Sequence, residues 1–250
     1  MHVYIYDSYL NQPKYQKTLS RIETRITDLG LNGKISRLGL MKNVNEVVQS
    51  EIRRGAKTIV VVGNDDTVQQ VINSIARTGV PLGIIPIDKK NNLIAERLGI
   101  PCQDDACDIL SARRIEQLDL GLANDQFFLT HAAITGEGTR IEVKENYSIE
   151  LKEPGEIYVF NLDVGSVSLP PNVFINPSDG LLQVALITKH SKKFLFSENT
   201  VESIFAFDKF RLVNQKKPIL LDGLFPVSSP VEISISRNSL KVIVGKNRSF

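Results

Sequence analysis

Apolar positions in the first half of the chain recur with two alternating periods. Val3-Tyr4-Ile5-Tyr6 is a short β-branched and aromatic run that stops at Asp7, and it reads as a strand. Tyr15, Leu19, Ile22, Ile26 and Leu29 then make the single apolar stripe of an amphipathic helix, closed by Gly30 and Gly33. Lys34 to Leu38 alternates like a strand. Asn43, three residues before Glu46, predicts a capped helix carrying Val44, Val47, Val48 and Ile52. Ile59-Val60-Val61-Val62 has no polar face, as a strand covered on both sides requires. A further stripe at Val68, Val71, Ile72 and Ile75 and a buried run from Leu82 to Pro86 complete the series. Strands alternating with helices in this way predict a doubly wound parallel α/β sheet over residues 1–115.

Beyond about residue 115 the period changes to two. Thr139 to Lys144, Tyr147 to Leu151, Ile157 to Phe160, Leu181 to Ile187, Val231 to Ile235 and Leu240 to Val244 are strand candidates. Turn chemistry separates them at Lys144-Glu145-Asn146, Pro154-Gly155, Asn176-Pro177-Ser178-Asp179-Gly180 and Arg237-Asn238-Ser239. The expectation for residues 116–250 is a second, all-β domain of sandwich or barrel type. Lys189 to Asn199 reads as a polar loop.

Composition narrows the function classes. Thirty basic residues stand against 28 acidic ones, a net charge of +2, so no global field favours nucleic acid and a phosphate site must be local. The two cysteines, Cys102 and Cys107, are too few for a disulfide scaffold, and with three histidines they make no closed zinc site. No apolar run approaches the ~20 residues that span a bilayer, and the start of the sequence has no secretion-signal pattern; the expectation is a cytoplasmic protein. His131 sits in an apolar stretch and reads as a hydrogen-bonded core or cleft residue. His2 and His190 show no partner in the sequence. Ser178 lies in a turn without the strand-turn-helix setting of a nucleophile.

In a doubly wound sheet, ligands collect beyond the carboxyl ends of the strands. Two loops fall there. One is Gly63-Asn64-Asp65-Asp66-Thr67, and the other is Ile87-Asp88-Lys89-Lys90-Asn91-Asn92; both open helices, whose first amides and dipole suit an anion. The same spacings also describe ordinary polar turns with good caps.

Ordered blocks extend this reading. Ile59 to Asn73, containing Gly63-Asn64-Asp65-Asp66-Thr67, resembles the GGDGT signature of the diacylglycerol kinase catalytic domain family, and Pro81-Leu82-Gly83-Ile84-Ile85-Pro86 resembles its P-L-G-I-I-P block. Leu98-Gly99-Ile100-Pro101, Asp119-Leu120-Gly121 with Ala132 to Gly136, Asn176 to Leu182, and Leu221-Asp222-Gly223 follow in the family's order. The resemblance implies an N-terminal α/β domain and a β-rich second domain with a cleft between them. It also implies ATP as phosphoryl donor, Mg²⁺ with it, and a lipid hydroxyl such as that of diacylglycerol as acceptor. NAD kinases share the fold and the GGDGT loop, but the stretch from P-L-G-I-I-P to L-G-I-P belongs to the lipid-kinase branch. On this resemblance Gly63, Asn64, Asp65, Asp66, Thr67, Lys89, Lys90, Asn91 and Asn92 hold the nucleotide, and Asp222 with Asp65 is catalytic.

The departures carry chemistry too. Asn64 and Asp66 replace two glycines; both residue types tolerate left-handed backbone, so the turn is expected to survive. Asp66 adds a carboxylate where a triphosphate would lie. Two unit charges ~4 Å apart repel by roughly 1–4 kcal/mol, unless a Mg²⁺ makes the Asp65/Asp66 pair its oxygen ligands. Asp88 to Asn92 replaces the family's G-T-G-N-D with bulkier side chains, leaving Lys89 and Lys90 as phosphate contacts or as a solvated pair. Leu224 stands where L-D-G-E has its glutamate, and Asp7-Ser8-Tyr9-Leu10-Asn11 replaces the N-P-x-S-G phosphate loop. Three functions therefore fit: a lipid kinase, a catalytically impaired nucleotide-binding or regulatory protein, and a purely structural module. Lys189, Lys192 and Lys193 with Phe194, Leu195 and Phe196 add a candidate contact with an anionic membrane surface.

Overall fold

The computed structural model of the chain describes residues 1–39, 43–88, 90–143, 147–151, 154–191 and 197–250, with backbone alone at 189–191 and 197–200. Two compact units divide it: Met1–Leu118 together with Asn238–Phe250, and Asp119–Arg237.

The first unit runs β1 (His2–Tyr6), α1 (Gln16–Asp28), β2 (Gly33–Arg37), α2 (Val44–Arg53), β3 (Thr58–Gly63), α3 (Asp65–Ile75), β4 (Leu82–Pro86), then the short α4 (Leu93–Arg97) and α5 (Ala106–Ala112). Its strands are parallel in the order β2-β1-β3-β4, so the chain reverses its direction across the sheet between β1 and β3. Right-handed crossovers then put α1 on one face and α2 with α3 on the other. Side-chain contacts agree. Arg25 of α1 pairs with Asp108 of α5 at 2.5 Å, and Ser74 of α3 donates to Asn45 Oδ1 of α2 at 2.7 Å. Every residue of β3 is buried, as its uninterrupted apolar sequence requires of a central strand. Asn43 caps α2 by accepting from the Asn45 amide at 2.9 Å, and Leu19, Ile22 and Ile26 form the buried stripe of α1.

β5 (Ile115–Ala123) leads out of the first unit. The second is built from β6 (Gln126–Phe128), β7 (His131–Thr135), β8 (Arg140–Val143), β9 (Tyr147–Glu150), β10 (Gly155–Phe160), β11 (Leu182–Ser191), β12 (Ser197–Phe207), β13 (Lys209–Val213), β14 (Ile219–Leu221), β15 (Phe225–Val227) and the start of β16 (Val231–Ile243). One antiparallel sheet has the order β12-β11-β10-β7-β14-β15. Facing it are β9, β8, β13 and the first part of β16. Their shared core joins Ile134, Ile157, Val184 and Leu221 from the first sheet to Ile141, Phe210, Leu212 and Ile233 from the second, which is a sandwich.

Two local expectations change. The turn expected at Arg237-Asn238-Ser239 is absent, because β16 continues through it with Asn238 in left-handed geometry at φ 51°. Its first part pairs with β13 and its later part, at Val242, with Leu82 of β4; two different partners hold one strand extended across polar residues. The polar stretch 189–199 is strand at both ends, since β11 reaches Ser191 and β12 begins at Ser197. β12 is an edge strand of its sheet, where one ladder of hydrogen bonds holds a sequence with little apolar alternation. The turn at Lys144-Glu145-Asn146 and the basic-apolar group from Lys192 to Phe196 lie outside the described residues.

Candidate functional site

Three strand ends meet at the carboxyl edge of the parallel sheet, at the point where its strand order reverses. Tyr6 is in register with Val62, and Gly63 with Pro86, so Asp7, the turn after Gly63 and the loop after Pro86 are neighbours. The Asp7 amide donates to Val62 O at 3.0 Å and the Ile87 amide to Gly63 O at 3.2 Å. In open α/β sheets this crevice is where ligands bind.

The turn from Gly63 to Thr67 is closed by its own side chains. Asn64 caps α3, its Oδ1 accepting from the Thr67 amide at 3.2 Å and from Thr67 Oγ1 at 3.1 Å. That single Thr67 hydroxyl proton is shared with Asp7 Oδ2. Asn64 has φ −127° and Asp66 no positive φ, so neither uses the left-handed region expected of a glycine replacement. The turn survives because the chain enters α3 through an ordinary extended cap. Gly63 is different: a Cβ there would meet Thr67 Oγ1 at 3.0 Å and Asp7 Cβ at 3.2 Å, a close approach that a larger residue would have to push apart.

Asp65 joins the two loops. Its Oδ2 accepts from the Leu93 amide at 2.7 Å and Oδ1 from the Ile94 amide at 3.2 Å, making it the anion at the start of α4. Its own amide donates to Asn91 O at 2.9 Å. Burial pushes the Asp65 carboxyl up to about 6, against the pull of those two amides and with a further push from Asp66. In the second loop Asn91 takes the left-handed position at φ 58°, and Asn92 is buried with its Nδ2 turned back to Asp88 O and Lys90 O. Lys90 is exposed, and Lys89 lies outside the described residues.

The electrostatics of this edge are acidic. Tyr15 donates to Asp88 Oδ2 at 3.1 Å. Burial, then the charges of Asp88 and Asp7, with a smaller push from Asp66, hold the Tyr9 phenol far above its ordinary value. Asp7, Tyr9 and Asp88 fall in loops that the sequence marks, and Tyr15 in a helix stripe, but none of the four is predicted as a ligand-holding or catalytic residue. The signal that finds them is topological: Asp7 and Asp88 each follow a parallel strand at the same edge. Among the described residues no group of three or more histidine, cysteine, aspartate or glutamate side chains could hold a metal ion, and both Asp65 oxygens are occupied by amides. Each Asp65 oxygen thus keeps one lone pair, and the described residues gather no full set of protein ligands, so a Mg²⁺ here would be shared with a nucleotide's phosphates. For an anion, the turn keeps Gly63, but the amides of Asp65 and Thr67 are already bonded within the chain.

Asp222 belongs to the second unit. The Asp222-Gly223 pair has φ 51° and 71° and closes the β14–β15 hairpin, with the Leu224 amide donating to Leu221 O at 2.9 Å. Its carboxylate is buried. Oδ2 accepts from the Leu129 amide at 3.0 Å, while Oδ1 accepts from the Thr130 amide and hydroxyl, both at 2.7 Å, and from the His131 amide at 3.3 Å. Burial pushes this carboxyl up, and those donors with His131 pull it back. Because the one hydroxyl proton of Thr130 is directed at Asp222, the 3.2 Å contact from Thr130 Oγ1 to His131 Nδ1 requires the imidazole to donate. Burial holds the His131 imidazole below its ordinary value, against the charges of Asp222 and Asp163. Asn161 completes the anchor by donating to Asp119 O at 2.9 Å and Leu129 O at 2.8 Å. Leu224 is 38% exposed, so an apolar side chain meets solvent where the family motif has a carboxylate.

Comparison with known proteins agrees with this architecture. Residues 3–123 match the family model of the diacylglycerol kinase catalytic domain. A solved structure of a diacylglycerol kinase from Bacillus anthracis str. Sterne superposes with a TM-score of 0.77 at 18% identity, covering 99% of this chain and 98% of that one, and so shares its fold. An uncharacterized protein of Synechocystis sp. is 29% identical over 136 residues, which is 54% of this chain but only 29% of that protein's length.

Proposed function

Because residues 3–123 match the diacylglycerol kinase catalytic domain, we propose that the chain phosphorylates a lipid hydroxyl, such as that of diacylglycerol, at the expense of ATP. The observation carrying this reading is the pairing of the β3 and β4 loops by Asp65 at the strand-order reversal. ATP, when bound, supplies the γ-phosphoryl group. The chain's part is to hold the phosphate tail at Gly63, Asn64, Asp66 and Thr67, with Lys89, Lys90, Asn91 and Asn92 along the second loop. Asp65 fixes the spacing of the two loops. Phosphoryl transfer depends mainly on such positioning and on an acceptor for the hydroxyl proton, the role given to Asp222. A lipid acceptor makes contact with a membrane surface part of this reading. No described helix is long and apolar enough to cross a membrane.

A second reading is favoured by a specific observation: both Asp222 oxygens are committed to internal donors and Leu224 replaces the glutamate, which suits a nucleotide-binding or regulatory protein that has lost the reaction. One experiment separates them. Purified protein is given γ-labelled ATP and Mg²⁺ with mixed micelles of diacylglycerol or a sphingoid base, in parallel with a thermal melt. Label in lipid, abolished by Asp222→Asn, is the expected result. A melt raised by ATP without labelled lipid assigns the second reading; at ~100 times Kd the ligand adds ~2.7 kcal/mol, several degrees for a chain of this size. Neither effect removes both.

A further inference from the structure

A second pocket in the first unit shares Asn92 with the second loop of the site above and is otherwise lined by residues that site does not use. It occupies about 830 Å³, within the ~300–1,000 Å³ range of small-molecule sites, and it is made entirely by residues of that unit. Ile109 and Ala112, one helical turn apart on α5, supply its apolar floor with Ile100 and Pro101. The C-terminal segment forms the opposite wall. The Gly245 amide donates to Leu98 O at 2.9 Å, the Ser249 amide to Arg97 O at 3.0 Å, and Arg248 pairs with Glu116 at 2.7 Å. Glycine is needed at both crossing positions: a Cβ on Gly245 would overlap Gly99 O, and one on Gly99 would lie 2.7 Å from the Arg248 amide nitrogen.

The charges around this pocket are unbalanced. Arg114 and Lys246 line it against one carboxylate, Glu96. Among the described residues neither cation has an ion-pair partner, whereas the neighbouring Arg248 does. An apolar floor beneath two uncommitted cations matches a ligand with one apolar chain and one anionic head. We propose that this pocket binds a single-chain lipid anion, beside the nucleotide edge with which it shares Asn92. The inference stands on the pocket's own residues and does not require the kinase reading.

Cys102 lines the same pocket and is partly accessible, while Cys107 is fully buried, so thiol chemistry reports occupancy without a mutation. The probe is dodecyl phosphate below its micelle concentration, and the readout is the rate of Cys102 labelling by a disulfide reagent in the native protein. At about ten times its Kd the probe is expected to slow labelling about tenfold. Dodecanol and inorganic phosphate, each carrying half of the chemistry, are expected to protect far less. Arg114→Gln and Lys246→Gln should each lose protection while keeping wild-type circular dichroism and the wild-type labelling rate without probe. Three results overturn the proposal: no protection by dodecyl phosphate, protection that dodecanol matches and the two variants retain, or equal protection by ATP, which would assign the pocket to the nucleotide.

Discussion

Asp65→Asn separates the structural role of the central acid from any role in holding a ligand. In the folded protein Asp65 is 6% exposed, and burial pushes its carboxyl up to about 6, against 3.8 for the free group. A folded-state pKa above the unfolded one favours folding when the group is protonated. The contribution is full below about pH 3.8 and is lost as pH rises through about 6. Two pKa units correspond to roughly 3 kcal/mol. Asparagine keeps one acceptor for the Leu93 or Ile94 amide and turns its NH₂ toward the other, a cost of about 1–3 kcal/mol at every pH. The variant should therefore be the less stable protein at pH 4. It should gain on the wild type by roughly 3 kcal/mol by pH 7, a relative change of about 6–12 °C in melting temperature. All described α-helices lie in the first unit, so circular dichroism at 222 nm follows its unfolding. A melting difference that stays constant between pH 4 and pH 7 would refute the reasoning. It would mean that Asp65 titrates like a solvated carboxylate, free to face a nucleotide or a metal.

Asp222→Ala removes the acceptor for three amides and one hydroxyl in the core of the β unit, and forces alanine into φ 51°. A loss of about 4 kcal/mol is expected in urea unfolding, with Asp222→Asn costing clearly less; equal, small effects would show that the network is not an anchor. Asp66→Gly takes one carboxylate away from the turn where a phosphate tail would lie. Relief of about 1–2 kcal/mol of repulsion should tighten ATP about tenfold by titration calorimetry, and an unchanged Kd would place the phosphates elsewhere.

The two-domain fold was legible in the sequence because it rests on local periodicity. An amphipathic stripe such as Leu19, Ile22 and Ile26, or a run such as Ile59 to Val62, can bury its apolar surface in few ways, and each of these elements formed where its spacing required. The position of the Gly63–Thr67 turn was legible for the same reason, since a strand and a helix bracket it. The edge strand β12 was not legible because a hairpin ladder to the preceding β11 holds a largely polar sequence, and the unbroken β16 was not because its later part pairs with Leu82 of β4, far away along the chain. Tertiary structure alone decided what the acids do. Residue type and spacing mark Asp65 and Asp222 as candidates for chemistry, but whether a carboxylate faces a ligand or an amide depends on which backbone donors the fold brings to it. Here Leu93 and Ile94 come to Asp65, and Leu129 to His131 come to Asp222, from about 30 and 90 residues away along the chain, a separation that no local pattern encodes.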